Sequence, residues 1–288
     1  MMLTKQALAS KQAITKLESH SLVNSSSMDA GKVLYYGGPV ISHAQIYMIL
    51  WGDKISDATK KSMPDFYASV LNSNYMDWLK IYNTNGVSAQ DGREGTNQEI
   101  GRGSFIQTIQ INPSQVSGTL DDTVIRAELD KAITAGILPK PSADILFMIH
   151  FPPNLKITFK DETGTVATSC QQFCAYHMDY ESKTYGNIYY GVIPNLDSMA
   201  CSMGCGFGGS LVRQTVCASH EVTEAITDPI PTPGNSPKYP QAWNTNDGNE
   251  VGDLCQSATG NLKGKAAVYK VQQEWNNSTN GCTTGDYL

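Results

Sequence analysis

The chain has 288 residues, of which 40% are hydrophobic, with a net charge of −6 and a pI near 5.3. That is enough apolar material for one substantial core, and with no block of Lys or Arg the electrostatic footprint of a nucleic-acid binder is missing. The longest apolar runs, Ile46–Trp51 and Ile145–Ile149, fall far short of bilayer-spanning length and read as buried strands.

Residues 1–31 are rich in Lys, Ser, Ala and Gln and lack the apolar h-region of a secretory signal, so they read as an N-terminal extension or linker. From 32 to 288 the pattern is that of a single domain. A strand is expected over 44–51, then a helical region over 57–82 broken at Pro64. A glycine-bearing loop at 86–103 leads into a strand at 104–111. The spacing of Thr119, Leu120, Asp121 and Asp122 resembles a capping box, and a helix is expected from there to Gly136. Further strands are expected over 144–151, near 156–159 and over 187–193, a helix over 211–228, and a β-rich segment over 266–275. Helices and strands mix without a βαβ rhythm, which points to an α+β domain with a mixed sheet.

The helix over 211–228 carries the chemistry. Leu211, Ala218, Val222, Ala225 and Ile226 form an apolar arc at 3.6-residue periodicity, and His220 and Glu224 point to the opposite side. Residues four apart are neighbours on a helix surface, so this pair can share one ion or form an ordinary solvated pair. Pro229 ends the helix. The pentapeptide His220-Glu221-Val222-Thr223-Glu224 is the HExxH pattern of zinc hydrolases with the second histidine replaced by Glu224. Downstream, Asn249-Glu250-Val251-Gly252-Asp253-Leu254-Cys255 offers a second acidic pair. The stretch 220–228 resembles the corresponding helix of thermolysin-like metallopeptidases, whose third ligand is a glutamate in a later Asn-Glu segment. That resemblance implies a zincin-like fold with its cleft beside helix 211–228.

The expected site has His220, Glu224 and Glu250 binding Zn2+, with Glu221 as general base. Asp253 either orients His220 through its other ring nitrogen or replaces Glu250 as the direct ligand. His177, or less favourably Tyr176, Tyr180, Tyr189 or Tyr190, is the candidate oxyanion donor. Carboxylate-rich coordination also suits Mn2+ or Ca2+, with zinc the first choice on the helix pattern. His43 and His150 read as core or rim histidines.

Seven cysteines include the pairs Cys170/Cys174 and Cys201/Cys205, which suit either disulfides in an oxidising space or a four-thiolate zinc site. Cys255 and Cys282 can form another bridge, leaving Cys217 over, near the metal face of its helix.

Several segments together resemble the phosphate-induced protein 1 family, also called EXORDIUM-like. They are Tyr36-Gly37-Gly38-Pro39-Val40, His220 to Pro229, and Ala242-Trp243 followed by Glu250 to Cys255. Phe173–His177 and Val271–Trp275 are similar to further family stretches. The resemblance implies a secreted or cell-wall protein, and in plants a role connected with growth. The absence of a visible signal segment and Val222 in place of leucine depart from the pattern. Two functions follow as expectations. The first is a monomeric zinc-dependent metallo-endopeptidase acting on protein or peptide substrates. The alternative is a non-enzymatic extracellular binding or growth-signalling protein with a structural metal.

Overall fold

The computed structural model describes residues 2–3, 31–161, 164–231 and 236–285. The reading of residues 1–31 as an extension or linker falls almost wholly outside them. The strands are β1 (Met2–Leu3), β2 (Leu34–Tyr35), β3 (Gln45–Trp51), β4 (Ser104–Ile111), β5 (Gly118–Asp121), β6 (Ile145–His150), β7 (Leu155–Lys160), β8 (Val166–Thr168), β9 (Phe173–Ser182), β10 (Gly186–Ile193), β11 (Trp243–Asn244), β12 (Thr259–Lys263), β13 (Val268–Gln272), β14 (Glu274–Asn276) and β15 (Gly281–Thr283). The helices are α1 (Asp57–Leu71), α2 (Asn74–Asp77), α3 (Asp122–Thr134), α4 (Met199–Gly204) and α5 (Ser210–Thr227).

The central sheet has six strands in the order β1-β9-β10-β6-β3-β4 and is mixed, as expected for an α+β chain. Strands β10, β6, β3 and β4 run parallel, whereas β9 and β1 run antiparallel at one edge. Every residue of β6 is buried, because its two faces meet different helical layers. On one face Ile46, Met48 and Leu146 pack with Phe66 and Val70 of α1 and Val222 and Ile226 of α5. On the other, Ile49, Phe147 and Ile149 pack with Ile125, Leu129 and Ile133 of α3.

Two expected helix details are corrected. Pro64 does not break α1 but lies inside it, and the interruption comes at Asn72 and Ser73, where the Ser73 hydroxyl caps α2. The burial of Met63, Phe66, Tyr67 and Val70 around the proline offsets its missing hydrogen bond. The cap of α3 is Asp121, whose Oδ1 accepts the Thr123 amide at 3.0 Å, while Thr119 and Leu120 belong to β5. One strand not anticipated is β9.

The segments near residues 36–41 and 240–243 form one joint. Tyr36 N–H donates to Ala242 O, Gly38 N–H to Gln241 O, and Ile41 N–H to Ile226 O at the end of α5. A Cβ on Gly38 would lie 1.8 Å from the Pro240 carbonyl oxygen, so only glycine permits this approach.

The cysteines resolve to disulfides: Cys170–Cys201, Cys174–Cys205 and Cys255–Cys282. A four-thiolate zinc site is thereby ruled out for these residues. The separations of 31, 31 and 27 residues correspond in the chain-entropy account to roughly 3.5 kcal/mol per bridge. Cys217 is free and fully buried, and burial pushes its thiol well above the ordinary range. Alkylation without reductant is expected to label no cysteine in the native protein and Cys217 alone after denaturation. Mass spectrometry showing a second labelled site would remove a bridge from this description.

Candidate metal and catalytic site

Helix α5 is buried continuously from Arg213 to Thr227, on its polar as well as its apolar side. Its hydroxyl residues are satisfied locally: Thr223 donates to Ser219 O, Thr227 to Thr223 O, and Ser219 to Val216 O, each at 2.9–3.0 Å. Ser219 Oγ also accepts the Gln272 amide of β13, which covers the helix. Arg213 is held by the Leu196 carbonyl. Cys217 lies in the hydrophobic core that α5 shares with the sheet, and its closest link to the candidate site is the charge of Glu221.

His220 and Glu224 do face one point. His220 Nε2 lies 3.0 Å from Glu224 Oε2, both side chains are fully buried, and Nε2 makes no hydrogen bond of acceptable angle. Two ligands on a tetrahedral cation with bonds of about 2.0–2.1 Å stand about 3.3 Å apart, so the spacing suits a shared ion. Glu221 Oε1 is 3.9 Å from the same nitrogen.

Two further segments complete the cluster. From β9, His177 points into it, with Nδ1 3.3 Å from Glu221 Oε2 and 3.7 Å from Glu224 Oε2, and Nε2 3.4 Å from Glu250 Oε1. The Asp228 carbonyl oxygen, 3.1 Å from Nε2, takes that nitrogen's proton in a hydrogen bond and turns Nδ1 toward the carboxylates. From the loop 249–255, Asp253 joins His220 and Glu224 in one group whose ligand atoms lie within 4.8 Å of each other, and its amide donates to Glu224 Oε1 at 3.0 Å. His177, Glu221 and Glu224 form a second such group.

His220, Glu224 and Asp253 lie close enough to share one ion, whereas Glu250, expected as the third ligand, is instead beside His177 Nε2. Asp253 does not touch the second ring nitrogen of His220; Gln272 does, its Nε2 lying 2.8 Å from Nδ1 while also donating to Gly252 O. Glu250 reaches the His177 side of the cluster, and Asp253 the His220 side. The four tyrosines lie elsewhere: Tyr176 and Tyr190 donate to Asp122 and Tyr180 to Asp130, both on the α3 side of the sheet, and Tyr189 packs in the core. His150 is buried against Tyr67 and His43 sits on the rim.

Burial opposes charging His220, yet the Glu224 and Glu221 carboxylates outweigh it and raise its pKa to about 10. Burial also opposes ionising Glu224, but His220 holds it well below the usual carboxylate range. Glu250 is pushed well above that range by burial and by the charges of Glu224, Asp228 and Asp253. Protons thus occupy the place of positive charge in the metal-free cluster, and a divalent cation would displace them. The carboxylates Glu221, Glu224, Glu250 and Asp253 outnumber the imidazoles His177 and His220, which fits a cation of charge two or more.

No family model, characterised protein or solved structure matches the chain.

Gly252 lets the loop close on the helix. A Cβ there would stand 2.5 Å from His220 Nδ1 and 2.8 Å from Glu224 Oε1, although its φ of −78° suits any residue. Gly252→Ala is therefore expected to destabilise the fold by about 1–3 kcal/mol through steric overlap alone; an unchanged midpoint in urea would contradict the contact. Behind His220, Glu274 accepts from Tyr75 and Gln272, and burial raises its pKa to about 8. A raised carboxyl contributes stability that is fully present below about pH 4.5 and lost as pH climbs through about 8. Gln at 274 can accept from Gln272 and donate to Tyr75, whose hydroxyl then donates to the Gln272 carbonyl. Glu274→Gln should raise the Tm at pH 9 and leave it unchanged at pH 4; parallel Tm curves for the two proteins would show that Glu274 ionises normally.

Proposed function

We propose that this chain is a metal-dependent peptide hydrolase with a zincin-like arrangement of helix, edge strand and downstream acidic loop. The observation that carries the reading is the convergence of His220 Nε2 and Glu224 Oε2 on one buried point, with Glu221 beside them and His177 opposite. The antiparallel strand β9 next to α5, bordered by β1, and the resemblance of residues 220–228 to thermolysin-like helices support it. So do the segments similar to the EXORDIUM-like family, which together with the disulfides favour a secreted protein.

His220 and Glu224 hold the cation with a third ligand from Asp253, Glu250 or His177. Zinc is preferred, and a bound zinc supplies Lewis acidity and acidifies water near neutral pH. Glu221 takes the proton as water attacks the peptide carbonyl, a role suited to a carboxylate within the cluster that is also close to a hydrogen-bonding imidazole. His177 serves either as the third ligand or as the donor to the developing oxyanion.

The competing reading, an ion that only staples α5 to the loop 242–255, is less favoured. Hydrogen bonds already make that joint: Asp253 N–H to Glu224, Ala242 N–H to Asp228, and the Asn244 amide to Asp228.

Metal analysis of the purified protein should find about one zinc per chain. Glu221→Gln is expected to retain it and to lose peptide hydrolysis by about 10²–10⁴-fold; equal casein cleavage by both proteins would refute the catalytic reading. His177→Ala separates its two roles. Loss of bound zinc assigns it as a ligand, whereas retained zinc with a fall confined to kcat assigns it as the oxyanion donor.

A further inference from the structure

The edge of the sheet beside the site is already filled by the chain itself. Strand β1 pairs antiparallel with β9, Met2 opposite Ala175 and Leu3 opposite Phe173, and it also packs against α5. The register places Met2 two residues along β9 from His177. Met2 is 5% exposed, and its backbone N–H donates to Glu221 Oε1 at 3.2 Å. The other oxygen of Glu221 faces His177. While β1 is seated, both oxygens of the expected general base are engaged and the position beside it is taken by a backbone amide rather than by water.

We infer that the β9 edge is the seat of an extended peptide, and that the Met2–Leu3 strand occupies it as an internal competitor for substrate. The first half names a partner by its chemistry: a peptide in extended conformation, recognised through backbone hydrogen bonds and therefore with little side-chain selectivity at this position. The second half is regulatory and rests on the proposed hydrolase reading. Among the described residues β1 pairs only at Met2 and Leu3, and a substrate strand that pairs along more of the ten residues of β9 competes for the same edge. Competition for a seat alters apparent affinity and leaves the chemical step alone. If β1 fills the seat in about nine of ten molecules, the apparent KM is about tenfold higher than that of the open form, at unchanged kcat.

The test uses the full-length chain with Met2→Pro and Leu3→Pro, singly and together, since proline cannot donate to the ladder or to Glu221. Hydrogen exchange at the Phe173 and Ala175 amides and fluorescence anisotropy of a labelled peptide of residues 1–8 are measured without reference to catalysis. The double variant is expected to exchange faster at β9 and to bind the peptide about tenfold more tightly than the unaltered chain. Its KM for a casein-derived peptide should fall by a similar factor at constant kcat. If neither protein hydrolyses peptides while exchange and binding change as stated, the seat stands and the hydrolase reading falls. Unchanged exchange at Phe173 and Ala175, or failure of all variants to bind the peptide more tightly, overturns the seat itself. Leu3→Pro alone, which leaves the Met2 donor in place, gives a second, milder variant should the double substitution disturb folding.

Discussion

Placing ionisable groups inside a protein costs several kcal/mol for each one unless charge and hydrogen bonds answer it. Helix α5 accepts that cost at His220, Glu221 and Glu224, all with no solvent exposure. The rest of the domain is arranged around those side chains. Strand β9 brings the His177 imidazole to the carboxylates, β13 lays Gln272 against His220, and the loop at 249–255 turns its amides and carboxylates onto the same point. Apolar burial elsewhere along α5, at Val222, Ala225 and Ile226, offsets part of the cost, since each such side chain contributes about 1–3 kcal/mol when removed from water. Charge balance completes the account: the shifts at His220 and Glu250 are those of a group of carboxylates seeking more positive charge than two imidazoles provide.

Much of this was legible in the chain itself because the determinants are local. Helix α5 is readable from the apolar arc of Ala218, Val222, Ala225 and Ile226 and from Pro229 after its end. The strands at Gln45–Trp51 and Ile145–His150 are readable from unbroken apolar runs, the mark of strands buried on both faces. The acidic pair at Glu250 and Asp253 follows from its resemblance to known metal loops. What stayed hidden depends on contacts distant in sequence. Strand β9 has the alternating pattern of a strand, yet His177 and Asp179 break the apolar character of one face, because that face reaches the polar cluster. With the strand unread, the direction of His177 was unreadable too. Gln272 carried no signal: a glutamine in a strand is ordinary until the fold sets it beside a histidine. Pro64 misleads for the opposite reason, since tertiary packing overrides a local rule.

Sheet order explains why the buried cluster lies where it does. Strands β10, β6, β3 and β4 are parallel; β6 is buried at every residue, whereas β4 ends the sheet and is largely exposed. Antiparallel β9 is different. One of its sides bonds to β10, and the other is an open ladder beside the buried cluster, met only by β1 among the described strands. An unpaired strand edge is a template for another extended chain. The described residues Met2 and Leu3 pair with that edge and cover it at Ala175 and Phe173.

The disulfides bear on the same geometry. Cys170 and Cys174 flank the start of β9, the second lying three residues before His177. Their partners are Cys201, inside α4, and Cys205, at its C-cap, five residues ahead of the start of α5. Two covalent ties thus join the strand that carries one imidazole to the segment that leads into the helix carrying the other. The third, Cys255–Cys282, anchors the end of the acidic loop to β15, whose partner β14 holds Glu274 behind His220. Strand β9 and the acidic loop are therefore cross-linked within a few residues of the cluster, while α5 is tied only through the segment ahead of it. A cluster of like charges tends to spread apart, and the ties at Cys174 and Cys255 limit how far His177 and Asp253 can move. Restraint of this kind lets the cluster keep its shape without relying on an ion to hold the segments together.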